Sequence, residues 1–201
     1  MSEVKRPLTM FMSPFRQHVE KWKNCILCPL CETRKHVVIA RGSLPADILI
    51  VGEAPGDNED VLGKPFVGPA GKLLDEILVD ALEGLGIFSL AWTNILGCIP
   101  IDANREKNPQ PKDIKTCRPR LVEIVRLAKP KLIVLAGKLV AKYVTGQLMF
   151  EPVKWTDAIQ FVEVDHPAFI LRMPDAQRGL AEQRCKVRIR CAVQELVNAK
   201  A

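Results

Sequence analysis

The chain has 201 residues, of which 48% are hydrophobic and 26% are charged. This length and composition predict a folded domain with a core of its own and exclude a chain that is disordered throughout. Apolar runs such as residues 48–51 are far shorter than the roughly 20 residues of a membrane-spanning helix, so we expect no membrane segment. The charged N-terminus has no apolar stretch typical of a secretory signal, and we expect a cytoplasmic protein.

We expect one domain over residues 1–201, in which residues 1–24 form an N-terminal extension with an amphipathic helix at 14–23. The net charge of +6 is common among proteins that bind nucleic acid. A charge of this size is also found where it only maintains solubility.

Short apolar segments predict four buried strands, at residues 47–52, 92–96, 131–137 and 159–164. The helical spacing of apolar residues predicts helices at 70–86, 111–128, 138–145 and 180–199. Strands that alternate with helices indicate an α/β fold, with a four-stranded parallel sheet between two layers of helices. Binding sites in such folds form at the carboxyl ends of the strands.

Two loops follow the first predicted strand and have unusual composition. Residues 52–60 contain two glycines, a proline and four acidic side chains, but match neither a phosphate-binding loop nor a dinucleotide fingerprint. A solvated acidic turn is the alternative interpretation. In the next loop, Phe66 lies between prolines and glycines, where an aromatic ring either stacks on a flat ligand or fills the core.

Four of the seven cysteines form a possible metal site. Cys25 and Cys28 make a C-x-x-C pair, and Cys98 and Cys117 are distant single cysteines. In a reducing compartment, clustered thiols indicate metal binding or catalysis rather than disulfides. Four thiolates bind either tetrahedral zinc or an iron–sulfur cluster, and the sequence pattern leaves both open.

The remaining cysteines give weaker signals. Cys185 and Cys191 lie on a helical pattern and are expected to be buried apolar side chains. The role of Cys31 stays open, since a third cysteine at this spacing also occurs in ferredoxin-like segments.

The segment after the fourth predicted strand contains His166 and is followed by basic residues, Arg172 and Arg178 first. A histidine at a strand end lies where α/β proteins place their sites, although a single histidine is more often structural. The basic residues either contact phosphates or form a solvated helix face.

Together these motifs resemble the family 4 uracil-DNA glycosylases, the iron–sulfur branch of the uracil-DNA glycosylase superfamily. The resemblance rests on G-E-A-P-G-x-x-E-D at 52–60, G-K-P-F-V-G-x-A-G-K-L-L at 63–74, T-N-x-x-x-C at 93–98, C-R-P at 117–119 and H-P-A-x-x-L-R at 166–172. The resemblance implies a four-stranded parallel sheet between helices and an enzyme of base-excision repair. Such an enzyme flips uracil out of DNA and hydrolyses its N-glycosidic bond.

The resemblance also implies roles for individual residues. A 4Fe–4S cluster, with zinc as the alternative, is expected near the N-terminal segment on Cys25, Cys28, Cys98 and Cys117. The implied catalytic residues are Glu53, Glu59 and His166. The implied uracil-binding residues are Ala54, Gly56, Phe66 and Asn94. Arg172 and Arg178 are expected to contact DNA. The partner is uracil-containing DNA, and we expect a monomer in the cytoplasm, associated with the nucleoid.

The chain departs from the family pattern at a few positions. Ile99 and Pro100 follow Cys98 where the family usually has Arg-Pro, Ala168 replaces a serine, and the 98–117 loop is longer than expected. That loop contains no histidine, which argues against relatives that trap their product covalently. Two alternatives remain, a non-catalytic DNA-binding module and an electron-transfer protein. The three residues Glu53, Asn94 and His166 speak against the first, and the basic C-terminal segment speaks against the second.

Overall fold

A computed structural model describes residues 12–101, 109–146 and 159–199. The centre of the fold is a five-stranded sheet with the spatial order β1-β3-β2-β4-β5. Its strands are β1 (Arg41–Gly42), β2 (Ile48–Gly52), β3 (Leu90–Asn94), β4 (Leu132–Ala136) and β5 (Gln160–Val164). The last four strands are parallel to one another.

The predicted four-stranded sheet is therefore wrong by one strand. The fifth strand, β1, has two residues and pairs antiparallel with β3 at the sheet edge. A two-residue strand shows no alternation of apolar and polar residues, so no sequence pattern could reveal it. Gly42 allows the close approach, because a Cβ there would lie 2.3 Å from the backbone oxygen of Leu90.

Helices cover both faces of the sheet, as predicted. They are α1 (Pro14–Trp22), α2 (Asp57–Leu62), α3 (Pro69–Leu82), α4 (Pro111–Ala128), α5 (Lys138–Val144), α6 (Pro167–Ile170) and α7 (Asp175–Asn198). The short helix α2 begins within the loop predicted at 52–60, and the short helix α6 follows His166. Helix α7 begins at Asp175, before the predicted residue 180. The apolar pattern did not show this first turn because polar residues occupy most of it.

Alternate residues of the central strands belong to two separate cores. Leu49 and Val51 of β2 pack with α1, α4 and α5, whereas Ile48 and Ile50 pack with α3 and α7. All four side chains are fully buried, as expected for a parallel strand between two helical layers. This arrangement fixes which strand residues face the candidate sites at the carboxyl edge.

The described part of the N-terminal extension packs on the domain through α1. Trp22 Nε1 donates a hydrogen bond of 2.8 Å to the Glu123 carboxylate of α4, and His18 Nδ1 lies 3.0 Å from the same group. The first eleven residues of the predicted extension lie outside the described residues. Among the helices of the described ranges, none is long and apolar enough to cross a membrane.

Candidate active site

A cavity of about 340 Å³ opens at the carboxyl edge of the sheet. The parallel register places Gly52, the last residue of β2, beside Asn94, the last residue of β3. The segment that contains His166 follows β5 at the same edge. Eight of the predicted site residues line this cavity: Glu53, Ala54, Gly56, Glu59, Phe66, Asn94, His166 and Arg172.

The Asn94 amide and the Phe66 ring meet over Gly52. A Cβ at position 52 would lie 2.4 Å from Asn94 Oδ1 and 2.4 Å from Phe66 Cζ. Only glycine leaves room for both groups. Both side chains are nearly fully buried, so the floor of the cavity combines an aromatic face with a fixed amide.

The backbone at Phe66 adopts a left-handed conformation, with φ of 56°. A bulky residue rarely adopts this region, so the surrounding structure must hold it there. Gly71, in the first turn of α3, packs directly beneath, because a Cβ there would lie 2.0 Å from the Phe66 backbone oxygen. The loop around Phe66 is thus pressed onto α3.

Arg41 of β1 binds the Phe66 loop from the other side, a role that the sequence analysis missed. Its Nε donates to the Pro65 backbone oxygen at 2.9 Å and its Nη2 to the Phe66 oxygen at 3.3 Å. The same Nη2 lies 2.7 Å from both carboxylate oxygens of Asp75. The guanidinium also stacks 3.8 Å above the Trp92 ring. A single basic residue after a short apolar run gives no signal of such contacts.

Glu59 joins the two loops of the cavity through backbone hydrogen bonds. One carboxylate oxygen accepts from Gly56 N at 3.0 Å, and the other from Val67 N at 2.9 Å and Gly68 N at 2.7 Å. Three N–H donors hold this carboxylate in place. The N–H of Gly56, one of the implied uracil-binding residues, therefore donates to Glu59.

The Glu53 carboxylate differs from that of Glu59 although both line the cavity. Within the described ranges, no residue donates a hydrogen bond to the Glu53 side chain. Burial raises the pKa of Glu53 above its usual value. A desolvated carboxylate without a fixed donor is suited to bind a water proton or a developing cation.

His166 is a neutral hydrogen-bond donor in this geometry. Its Nδ1 accepts the backbone N–H of Ala168 at 3.2 Å, as the N-cap of α6. The proton of a neutral ring therefore resides on Nε2. Burial, with a smaller contribution from Arg172, lowers the pKa of His166 to about 4. The ring is uncharged at neutral pH.

The two arginines that were predicted to contact DNA lie in different surroundings. Arg172 lines the cavity, whereas Arg178 does not. Arg178 Nη2 donates to the Leu171 backbone oxygen at 3.1 Å and so supports the segment between His166 and Arg172.

Other basic residues of α7 also have intramolecular partners, which favours the solvated-face interpretation for this helix. Arg184 pairs with Asp165, and Lys186 lies 3.1 Å from Asp80. Arg190 donates to backbone oxygens at the end of α3.

Four cysteines surround a second, smaller cavity on the opposite face of β3. It is lined by Cys25, Cys28, Cys98 and Cys117 together with Arg34 and Arg120. The Gly97 N–H donates to Cys117 Sγ at 3.2 Å. Burial raises the pKa of Cys98 to about 12 and also raises the pKa of Cys28.

In the part of the chain that the structure describes, no three His, Cys, Asp or Glu side chains are grouped closely enough to bind a single metal ion. The four sulfur atoms nevertheless line one cavity.

The other cysteines lie outside this set. Cys31 does not line the cavity, and Cys185 is buried in the core, as predicted. Cys191 is exposed, so its predicted burial is wrong. It lies on α7, which packs on the core through Ala181, Cys185, Ile189 and Val193.

Comparison with known proteins identifies the family. The model of the uracil DNA glycosylase superfamily matches residues 39–191 of the chain. The chain belongs to this superfamily. The matched region contains every residue that lines the larger cavity, as well as Cys98 and Cys117. Cys25 and Cys28 precede it.

Curated proteins with similar sequences are type-4 uracil-DNA glycosylases. A type-4 uracil-DNA glycosylase of Pyrobaculum aerophilum is 36% identical over 78% of this chain and 84% of its own length. Type-4 enzymes of Archaeoglobus fulgidus and Sulfurisphaera tokodaii are 32% and 34% identical over 78% and 82% of this chain. These alignments cover 82% and 79% of the respective relatives.

Substituting Arg41 is expected to impair the glycosylase cavity without unfolding the protein. Arg41→Ala removes both donors to the strained Phe66 loop, and small displacements of a binding group are costly. We expect excision from uracil-containing DNA to slow by ~10–100-fold in kcat/KM, with partial recovery in Arg41→Lys.

A matched control is Lys186→Ala on α7, which breaks an ion pair with Asp80 of α3 away from the cavity. It should cleave at the parental rate. A parental rate in Arg41→Ala would show that Gly71 and Glu59 suffice to hold Phe66.

The low pKa of His166 predicts a pH-dependent stability. Its folded-state pKa of about 4 lies below the unfolded value of 6.5, so the unfolded chain binds more protons between these values. This share of stability is present above pH 6.5 and is lost as the pH falls toward 4, by up to ~1.4 kcal/mol per pH unit.

Denaturant unfolding between pH 7 and pH 4.5 tests this sign. The His166→Gln variant should lose less stability over this range than the parent, and His18 contributes equally to both proteins. Identical pH slopes would mean that His166 is not desolvated in solution.

Proposed function

We propose that this protein is a uracil-DNA glycosylase of base-excision repair that hydrolyses the N-glycosidic bond of uracil and leaves an abasic site. Its type-4 relatives have this activity by name. The observation that supports the proposal most directly is the single cavity that joins an aromatic face, a buried amide, a neutral histidine and a free carboxylate.

Recognition of uracil is assigned to Phe66 and Asn94. The Phe66 ring provides a stacking surface that compensates for the base stacking lost from DNA. The Asn94 amide accepts from uracil N3–H and donates to O4. Cytosine presents the opposite donor and acceptor pattern, and an amide fixed against Gly52 cannot adapt to it. Ala54 and Gly56 form the adjoining wall.

The reaction breaks the bond between C1′ of the sugar and N1 of uracil, and the electron pair departs with the base. Negative charge grows at uracil O2, where the His166 Nε2–H donates as a neutral group. Positive charge grows at the sugar, where the Glu53 carboxylate stabilises it. Glu53 then accepts a proton from the water that bonds to C1′. Glu59 holds the loops rather than the water, because three backbone donors engage it.

DNA binding is assigned to the rim of the cavity. Arg172 is the cavity arginine and is the proposed phosphate contact. Arg178 acts through the Leu171 carbonyl and orients the same segment. We propose that the protein acts as a monomer on DNA in the cytoplasm, at the nucleoid.

Single-turnover cleavage of a uracil-containing oligonucleotide tests this function. The parent should cut uracil but not cytosine or thymine. Glu53→Gln and His166→Ala should each slow cleavage by ~10²–10³-fold, the usual effect of removing one group that acts in the transition state. Glu195→Gln, on α7 away from the cavity, is the matched control and should react at the parental rate.

Two other results would contradict this assignment. A parent protein that binds uracil-containing DNA but does not cut it would be a non-catalytic DNA-binding module. If Glu59→Gln slows the reaction as much as Glu53→Gln while the loops keep their thermal stability, Glu59 rather than Glu53 is the acting carboxylate.

We infer that Cys25, Cys28, Cys98 and Cys117 hold a 4Fe–4S cluster. Zinc requires four sulfur atoms about 2.3 Å from one point. A 4Fe–4S cluster instead binds one cysteine at each of four irons and separates them more widely. The four cysteines line one cavity, which is the arrangement that such a cluster requires. When bound, it would tie the N-terminal segment to α4 and provide structural support.

Metal analysis of anaerobically purified protein tests this inference. We expect about four irons and four sulfides per chain, with broad absorption near 400 nm. Cys98→Ser should lose the iron and much of the soluble protein, whereas Cys185→Ser, away from the site, should keep the full iron content. Stoichiometric zinc without sulfide would contradict the assignment.

A further inference from the structure

Arg120 of α4 is a fully buried cation to which the described residues offer no acidic partner. Its side chain is 1% exposed. Nη1 donates to Ile39 O and Thr93 Oγ1, each at 3.3 Å, and Nη2 donates to the backbone oxygens of Asn94 and Ile95. Nε lies 3.4 Å from Cys117 Sγ. In the described part of the chain, no carboxylate lies within 4.0 Å of this guanidinium.

A buried charge of this kind requires an anion. The guanidinium group stays protonated in proteins. Backbone oxygens satisfy its hydrogen bonds, but an uncompensated buried charge remains strongly unfavourable. Among the described residues, Cys117 is the ionisable group that contacts Arg120, so the cavity that the four cysteines line is the nearest place for a compensating negative charge.

A second arginine lies at the same cavity. The half-buried Arg34 also lines the four-cysteine cavity, and its Nη2 donates to the Cys25 backbone oxygen. Two guanidinium groups beside four neutral thiols would leave the region positively charged. A 4Fe–4S cluster bound by four thiolates is a net anion, and it matches this excess of positive charge.

We propose that Arg120 is a positioning residue that couples the cysteine-bound cluster to the uracil-reading strand end. This inference rests on the proposed function and on the cluster. The negative charge of the cluster holds the guanidinium, and the guanidinium holds the carbonyl groups of Asn94 and Ile95. The Asn94 side chain that reads the base is therefore fixed from the opposite face of β3.

The geometry of the contact requires arginine in particular. The planar guanidinium reaches Cys117, Thr93 and Asn94 at once, through three different nitrogen atoms. Lysine retains the charge but has one nitrogen and cannot span these groups. Gly97 confirms how tightly the group is packed, because a Cβ there would lie 2.9 Å from Arg120 Nε.

Three variants of the iron-loaded protein test the coupling. Arg120→Lys retains the charge, Arg120→Met removes it at similar length, and Ile124→Ala removes a buried apolar side chain from the same helix as a matched control. Two readouts are compared, the reduction potential of the cluster and the single-turnover cleavage of uracil-containing DNA.

Removing a positive charge beside an anionic cluster favours its oxidised state. Arg120→Met should therefore lower the reduction potential, Arg120→Lys should shift it less, and Ile124→Ala should leave it unchanged. Both Arg120 variants should slow uracil cleavage at least ~10-fold at full iron content, while Ile124→Ala should lower thermal stability without this loss. If Arg120→Met does not fold, Arg120→Lys still tests the coupling by its slow cleavage at full iron content.

The outcomes separate this inference from the proposed function. A parent that cleaves uracil, with Arg120→Lys at the parental rate and full iron content, overturns the coupling and leaves the glycosylase assignment intact. A parent that fails to cleave uracil overturns the function itself. A parent that cleaves uracil but contains no cluster overturns the coupling alone.

Discussion

The pairing of Gly52 with Asn94 at the ends of two parallel strands is the constraint on which the site depends. The register brings the two residues side by side, and the missing side chain at position 52 creates the space that the Asn94 amide and the Phe66 ring share. Phe66 reaches this space only in a left-handed backbone conformation. The tight packing of Gly71 and the hydrogen bonds of Arg41 and Glu59 are thus consequences of placing one ring over one glycine.

Burial acts on the two proposed reactive groups in opposite directions and makes them complementary. It lowers the pKa of His166, which keeps the ring uncharged, and raises the pKa of Glu53, which makes the carboxylate a better proton acceptor. A neutral imidazole beside Arg172 adds no second cation to the cavity, yet in the proposed reaction its Nε2–H would still donate to the developing anion. The site therefore stabilises charge that appears during the reaction rather than charge that is present beforehand.

Sequence patterns predicted the elements that show a regular spacing of apolar residues and the sites whose residues are close together in the sequence. The periodicity of apolar residues located the four parallel strands and the long helices, the glycine-rich loops located Glu53 and Phe66, and the family resemblance added Asn94 at the same edge. Contacts made by isolated residues were not predictable. Arg41 and Arg120 act through backbone carbonyls of segments far away in the chain, and nothing in their local sequence records those partners. The different environments of Glu53 and Glu59 likewise depend on backbone donors from a second loop.

Strand β3 explains how a cysteine site and a base-reading site can influence each other without touching. Side chains of successive strand residues point to opposite faces. Thr93 contacts Arg120 on the face of the four-cysteine cavity, and Asn94 lines the larger cavity on the other face. One peptide unit thus separates the two environments, and the Asn94 carbonyl that accepts from Arg120 belongs to the same residue whose side chain lines the larger cavity. A rigid anchor on the first face would restrict the rotation of that residue on the second, so in the proposed coupling a group that takes no part in bond cleavage contributes to selecting the base.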